Sequence, residues 1–249
     1  MRSLLLLTFV LFNTWVNATP TKLVVRAKAK DAKFIGSSIG GALVVVRKSA
    51  TGELLAEGMT EGSTGNTSLI MKDPQERYKS IVDDNTAKFE VVLDITEPVF
   101  VNIEVTAPFN QPQSSIVAST QLWLIPGKDI DGEGVVLEIP GFIVNVLTPQ
   151  THESLSGKKT TISANIVMMC GCPLTNGGLW DAEKIEVRAM IKEEGKVLTE
   201  LPLHVKEKAN TFEEEFSFSD SGNYEIVIYA YDQRTGNTGV GKVNFKVNN

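Results

Sequence analysis

The run Ile162-Ser163-Ala164-Asn165-Ile166-Val167-Met168-Met169-Cys170-Gly171-Cys172-Pro173 alternates over its first half. Ile162, Ala164, Ile166 and Met168 share one parity, and Ser163, Asn165 and Val167 the other. A period of two is the signature of a strand with one packed face and one wet face. If the strand stays extended, Cys170 and Cys172 continue the parity of Met168, and Met169 points to the other side. The stretch holds both cysteines of the chain and two of its six methionines.

Working outward, the same period recurs on both sides. Ile185, Val187, Ala189 and Ile191 alternate with charged or flexible partners. Tyr224, Ile226, Ile228 and Ala230 form another such row, and Val243, Phe245 and Val247 a third. Toward the N-terminus, strands are expected over 23–30, 42–46, 53–58, 88–93, 99–105, 116–124 and 135–139. Turn-forming glycines and polar loops separate them, and 73–85 reads as a long polar loop. No segment has a convincing amphipathic helical period. The expected fold is all-β, with two tandem β-sandwiches over 19–140 and 141–249. Ile139-Pro140-Gly141 is a short linker, so a fairly fixed mutual orientation is expected.

Asp220-Ser221-Gly222-Asn223-Tyr224-Glu225-Ile226 resembles the tyrosine corner of immunoglobulin-like sandwiches. The resemblance implies that the Tyr224 hydroxyl bonds back to upstream backbone. Antibody-type domains place a cysteine two residues later, where this chain has Ile226, so the usual inter-sheet disulfide is absent. Trp180 is then expected in the inter-sheet tryptophan role on the third strand. Residues 42–60 resemble the hairpin of transthyretin-like, carboxypeptidase-regulatory sandwiches. The hydrolase branch of that family uses histidines and an Arg-Pro-x-Ser tail. The first half of the chain has neither, so only the fold carries over.

Met1-Arg2, an apolar run from Leu4 to Phe12 and the exit Val16-Asn17-Ala18 read as a signal peptide over 1–18. The expected location is the periplasm or the extracellular space. No later run has the length of a membrane span. A net charge of -6 without a Lys/Arg cluster argues against nucleic acid and anionic membranes as partners. Two histidines without Gly-x-Ser-x-Gly do not support a hydrolase, and no glycine loop precedes a helix. The expected class is a non-catalytic binding or assembly protein whose partner is another exported protein. The rival is a carbohydrate-active enzyme or accessory module using loop carboxylates such as Asp83, Asp84, Asp129 and Asp131. Asp129 to Gly134 begins like a calcium loop, but its twelfth position would be Pro140, so it is read as an acidic turn.

Three readings of the sulfur cluster stand side by side. The cysteines end an apolar stripe, or form a Cys-x-Cys disulfide, or hold a soft metal. Same-face residues on a strand lie about 6.5–7 Å apart at Cα, so a disulfide needs a kink, which Gly171 can supply. Two thiolates and a thioether suit copper(I) over hard cations. The expectation is therefore a reduced pair that, with Met168, binds copper(I) through Met168, Cys170 and Cys172. His152 stands where it could approach the same end of the domain, and His204 reads as a solvent-facing strand residue; neither is counted as a ligand.

Overall fold

The computed structural model describes residues 18–206 and 208–248. The signal-peptide expectation over 1–18 falls almost wholly outside them. Among the described residues the architecture is strand throughout, with only three short helical turns. No helix among them is long and apolar enough to cross a membrane.

The first seven strands are β1 (Thr19–Ala29), β2 (Leu43–Lys48), β3 (Leu54–Met59), β4 (Phe89–Ile95), β5 (Val99–Ala107), β6 (Ile116–Leu124) and β7 (Ile130–Ile139). They make a three-stranded sheet in the order β4-β1-β7 and a four-stranded sheet in the order β3-β2-β5-β6. Val101, Ile103 and Val105 on β5 share one buried core with Leu23, Val25 and Ala27 of β1, and on β5 the even parity is half-buried or exposed. β1 and β7 run parallel. Their register jumps from Leu23 opposite Ile130 to Val25 opposite Val135, so 131–134 bulge from the ladder.

That bulge explains a residue at odds with its surroundings. Arg26 lies in the middle of β1 and is 2% exposed. Its guanidinium donates to the carbonyls of Glu133 and Gly132 at 3.2 Å, of Ala87 at 2.9 Å, and of Thr86. Arginine's planar fork can serve several acceptors at once, and every one here is a backbone carbonyl. Arg26 thereby ties the long loop before β4 to the bulge of β7.

The remaining strands are β8 (Phe142–Thr148), β9 (Ser154–Ser156), β10 (Lys159–Met168), β11 (Glu186–Glu193), β12 (Lys196–Pro202), β13 (His204–Val205), β14 (Thr211–Ser217), β15 (Gly222–Asp232) and β16 (Asn237–Asn248). They form the sheets β13-β14-β10-β8 and β12-β11-β15-β16-β9. Ile162, Ala164 and Ile166 of β10 pack against Ile226 and Ile228 of β15 as the core between these sheets. The Tyr224 hydroxyl donates to Asp220 O at 2.9 Å, as the corner motif implies. Phe218, Tyr224 and Phe245 cluster around it, with ring centroids 4.6–6.0 Å apart. This is the immunoglobulin-like sandwich.

No ladder joins a strand before Pro140 to one after it among the described residues. What joins the two sandwiches is a set of side-chain ties. Asn237 is fully buried; its amide donates to Lys30 O at 3.1 Å and accepts from Gly141 N at 2.8 Å. Gly141 sits at φ +115, and a Cβ there would lie 2.6 Å from Thr238 O, so the close approach requires glycine.

Candidate functional site

Strand β10 ends at Met168, where the chain reverses. Gly171 N donates to Met168 O at 2.7 Å, and Met168 N donates to Cys172 O at 3.1 Å. Pro173 bridges back to Val167, antiparallel. Met169 and Cys170 therefore occupy a tight turn, and Cys172 runs home beside the strand it left. Gly171 takes φ +75, the left-handed region that closes such a turn without steric cost.

The turn changes the chemistry. The Cα atoms of Cys170 and Cys172 approach to 5.3 Å, inside the range for a disulfide, and the two sulfurs are bonded. The expectation of a reduced pair on one extended strand face is corrected here. Parity holds only while the backbone is extended, and it lapses at Met168. Bonded sulfurs offer no thiolate, so Met168, Cys170 and Cys172 do not fit copper(I) in this state. Among the described residues no three His, Cys, Asp or Glu side chains gather as a metal cage.

The bridge is a weak staple. Closing a three-residue loop lowers the entropy of the unfolded chain by the equivalent of roughly 1–2 kcal/mol, against about 4.7 kcal/mol for a 100-residue loop. What holds the turn is its surroundings. Leu174 N donates to Asn210 Oδ1 at 2.7 Å. Gly171 faces Ile39 of the first sandwich, whose Cδ1 would lie 3.3 Å from an added Cβ. Both cysteines are buried, yet they line a cleft of about 420 Å³. The opposite wall carries Lys33, Ser38, Thr64 and Thr67, so the cleft lies between the two sandwiches.

Trp180 is also there, and its expected role is corrected. It lies off any strand, before β11, in a loop pinned by Thr175 N donating to Trp180 O at 3.0 Å. Its indole N–H donates to Asp31 O at 2.8 Å across the seam. His152 is corrected as well. β8 pairs antiparallel with β10, placing Phe142 beside Met168 and Thr148 beside Ser163, so His152 lies at the far end of the sandwich. It lines a separate cleft of about 480 Å³ with Tyr224 and Phe245. His204 is exposed on β13, as expected.

The rival carboxylates are partly assembled. Asp83, Asp84 and Asp131 line one cleft of about 320 Å³ with Lys22, Arg26 and Lys88. Asp83 is already engaged, accepting from Thr86 Oγ1 at 2.7 Å and Asn85 N at 3.1 Å. Asp129 accepts from Lys22 N at 2.8 Å and so fixes the start of β7 on β1. These three contacts hold the loops in place.

A second candidate surface, with no motif to mark it, lies on the four-stranded sheet. Trp123 of β6 is 59% exposed, with its ring centroid 5.0 Å from that of Phe100 on β5. The two are cross-strand partners. Val117 on the same strand and Ile125 just beyond it are exposed too. The signal was present: period two puts Val117, Ser119, Gln121 and Trp123 on one wet face.

No family model matches the chain, and no curated protein matches it. Among solved structures, an engineered protein is 15% identical over 51% of this chain and 24% of its own, with a TM-score of 0.34. The fibronectin(III)-like modules of Clostridium thermocellum CbhA are 12% identical over 92% of this chain and 93% of theirs, with a TM-score of 0.29. A DUF3823 family protein from Bacteroides uniformis is 11% identical over 91% of this chain and 98% of its own, with a TM-score of 0.27. The fold assignment rests on the strand pairing described above.

Proposed function

We propose that the chain is an exported, non-catalytic binding protein that docks another exported protein on the outer face of β5 and β6. It divides near Pro140 into a transthyretin-like sandwich and an immunoglobulin-like one. The apolar run and the Val-x-Ala exit at the N-terminus support export. The strand orders β4-β1-β7 and β3-β2-β5-β6, with the β2–β3 hairpin, support the transthyretin-like type.

One observation carries the binding reading: a tryptophan 59% exposed on a sheet face, its ring tilted against a second aromatic ring, on a strand that ends its sheet. Removing a large aromatic surface from water is favourable, and partners supply the cover that the sandwich does not. Tryptophan is also the residue most enriched at interface hot spots. β6 adds Val117 at one end and Ile125 beyond the other, with Ser119 and Gln121 between them. That row matches an extended partner segment laid beside an edge strand.

The test compares retention of exported-fraction proteins by the wild type, Trp123→Ala and Val92→Ala. Val92 is equally exposed, on β4 of the opposite sheet. Loss of a discrete bound protein in Trp123→Ala alone supports the reading. Equal retention by all three refutes it.

A further inference from the structure

We propose that the Cys170–Cys172 bridge is a thiol–disulfide exchange site whose partner is a dithiol protein. This stands apart from the binding face on β6 and does not depend on it.

The only two cysteines of the chain are spent on a loop of three residues. As a staple that loop does little, and the hydrogen bonds around it already hold the turn. Met168 to Gly171, Met168 to Cys172 and Leu174 to Asn210 all persist if the sulfur–sulfur bond opens. The two sulfurs then stay close enough to close again, so the pair can cycle without unfolding the sandwich. Their burial channels the approach. Cys170 and Cys172 are 2% and 5% exposed, and the cleft between the sandwiches leads to them. A thiol on a slim or protruding segment reaches them, and a flat protein surface does not.

The cleft also supplies charge of the useful sign. Lys33 is its one ionisable wall residue besides the bonded pair. A cation there draws an incoming thiolate and steadies the thiolate that departs. Ser38, Thr64 and Thr67 add hydroxyl donors on the same wall.

The exchange balances as follows. A thiolate of the partner attacks one sulfur of the bridge and forms a mixed disulfide. The bridging electron pair leaves on the other cysteine, which becomes a thiolate in the cleft with Lys33. The partner's second thiol, as its thiolate, attacks the partner sulfur of the mixed disulfide and expels the remaining cysteine as a thiolate. Two protons from solvent complete the step. The chain gains two electrons and two protons, and the partner dithiol becomes a disulfide.

The experiment uses the full processed chain under native conditions. Dithiothreitol serves as the dithiol probe and glutathione as the monothiol, and cysteines are counted over time by alkylation and intact mass. The pair is expected to reduce and reoxidise reversibly while the circular dichroism of the strands is unchanged. Lys33→Ala is expected to slow reaction with glutathione at neutral pH by roughly three- to tenfold, and Lys33→Arg to restore it. Reduction only after denaturant is added would overturn the proposal. So would equal rates for wild type, Lys33→Ala and Lys33→Arg.

Discussion

The indole N–H of Trp180 donates to the backbone carbonyl of Asp31 at 2.8 Å, joining a loop of the second sandwich to the first hairpin turn of the first. Asn237 makes a second tie to the neighbouring carbonyl of Lys30. Together they fix how the cleft over the Cys-Gly-Cys turn is walled.

Asn237 serves a buried carbonyl and a buried N–H at once, so Asn237→Ala leaves both without partners. The expected loss is about 3 kcal/mol, since each unsatisfied buried group costs about 1–3 kcal/mol. Trp180→Phe removes one donor and should cost about 1 kcal/mol. Urea unfolding of the two variants checks the order. A larger loss in Trp180→Phe would show that packing of the ring outweighs its hydrogen bond.

Arg26→Met should destabilise by about 3 kcal/mol, because it strands the carbonyls of the 131–134 bulge and of Thr86 and Ala87. Arg26→Lys should recover only part of this, since an ammonium lacks the fork that reaches two segments. Chemical denaturation with both variants gives the comparison, and a Met variant as stable as wild type would remove the tie from the account.

Strand periodicity makes the architecture legible, and the corner motif implies that Tyr224 bonds back to upstream backbone, which proves to be Asp220 O. The role of Arg26 is not legible in this way. A charged residue in an apolar run signals alternation, and its carbonyls come from the loop before β4 and the β7 bulge, both distant in sequence. The extended backbone expected for the sulfur cluster gives way to a turn. The parity of Ile162 to Met168 is real, but one hydrogen bond from Gly171 to Met168 ends it, and sequence does not reveal on which side of Met168 the turn begins. Family position puts Trp180 on the third strand, whereas the local Thr175–Trp180 pairing holds it in a loop where its indole N–H reaches Asp31.

Stability should respond to pH through Tyr229 and Glu200. The Tyr229 hydroxyl donates to Glu200 Oε1 at 2.6 Å, and Arg188 donates to the same oxygen. Burial, then the Glu200 hydrogen bond, pushes the Tyr229 phenol up to about 12. Hydrogen bonds from Tyr229 and Arg188 hold the Glu200 carboxyl below its ordinary value. A raised phenol gives stability that is complete below its unfolded pKa of about 10 and is lost as pH climbs toward 12. A lowered carboxyl gives stability present above its unfolded value of about 4.3 and lost as pH falls through the folded one. Ultraviolet titration should show a late phenol that vanishes in Tyr229→Phe; a substitution that leaves the late part of the titration unchanged would refute the assignment.

Gly171→Ala should lower stability by about 1–2 kcal/mol, because a side chain at φ +75 is strained and its Cβ would press on Ile39. Thermal unfolding of the oxidised chain measures it. An unchanged midpoint would mean that the turn and its seat on the first sandwich are looser than described.

Docking on the outer face of β5 and β6 is tested most directly by site-specific photo-crosslinking in exporting cells. A photoreactive residue replaces Val117 in one variant and Val92 in another, both exposed, on opposite sheets of the first sandwich. The account predicts one discrete crosslinked protein from position 117, lost when Trp123→Ala is added, and none from position 92. The same product from both positions, or a product from 117 that survives Trp123→Ala, would contradict it.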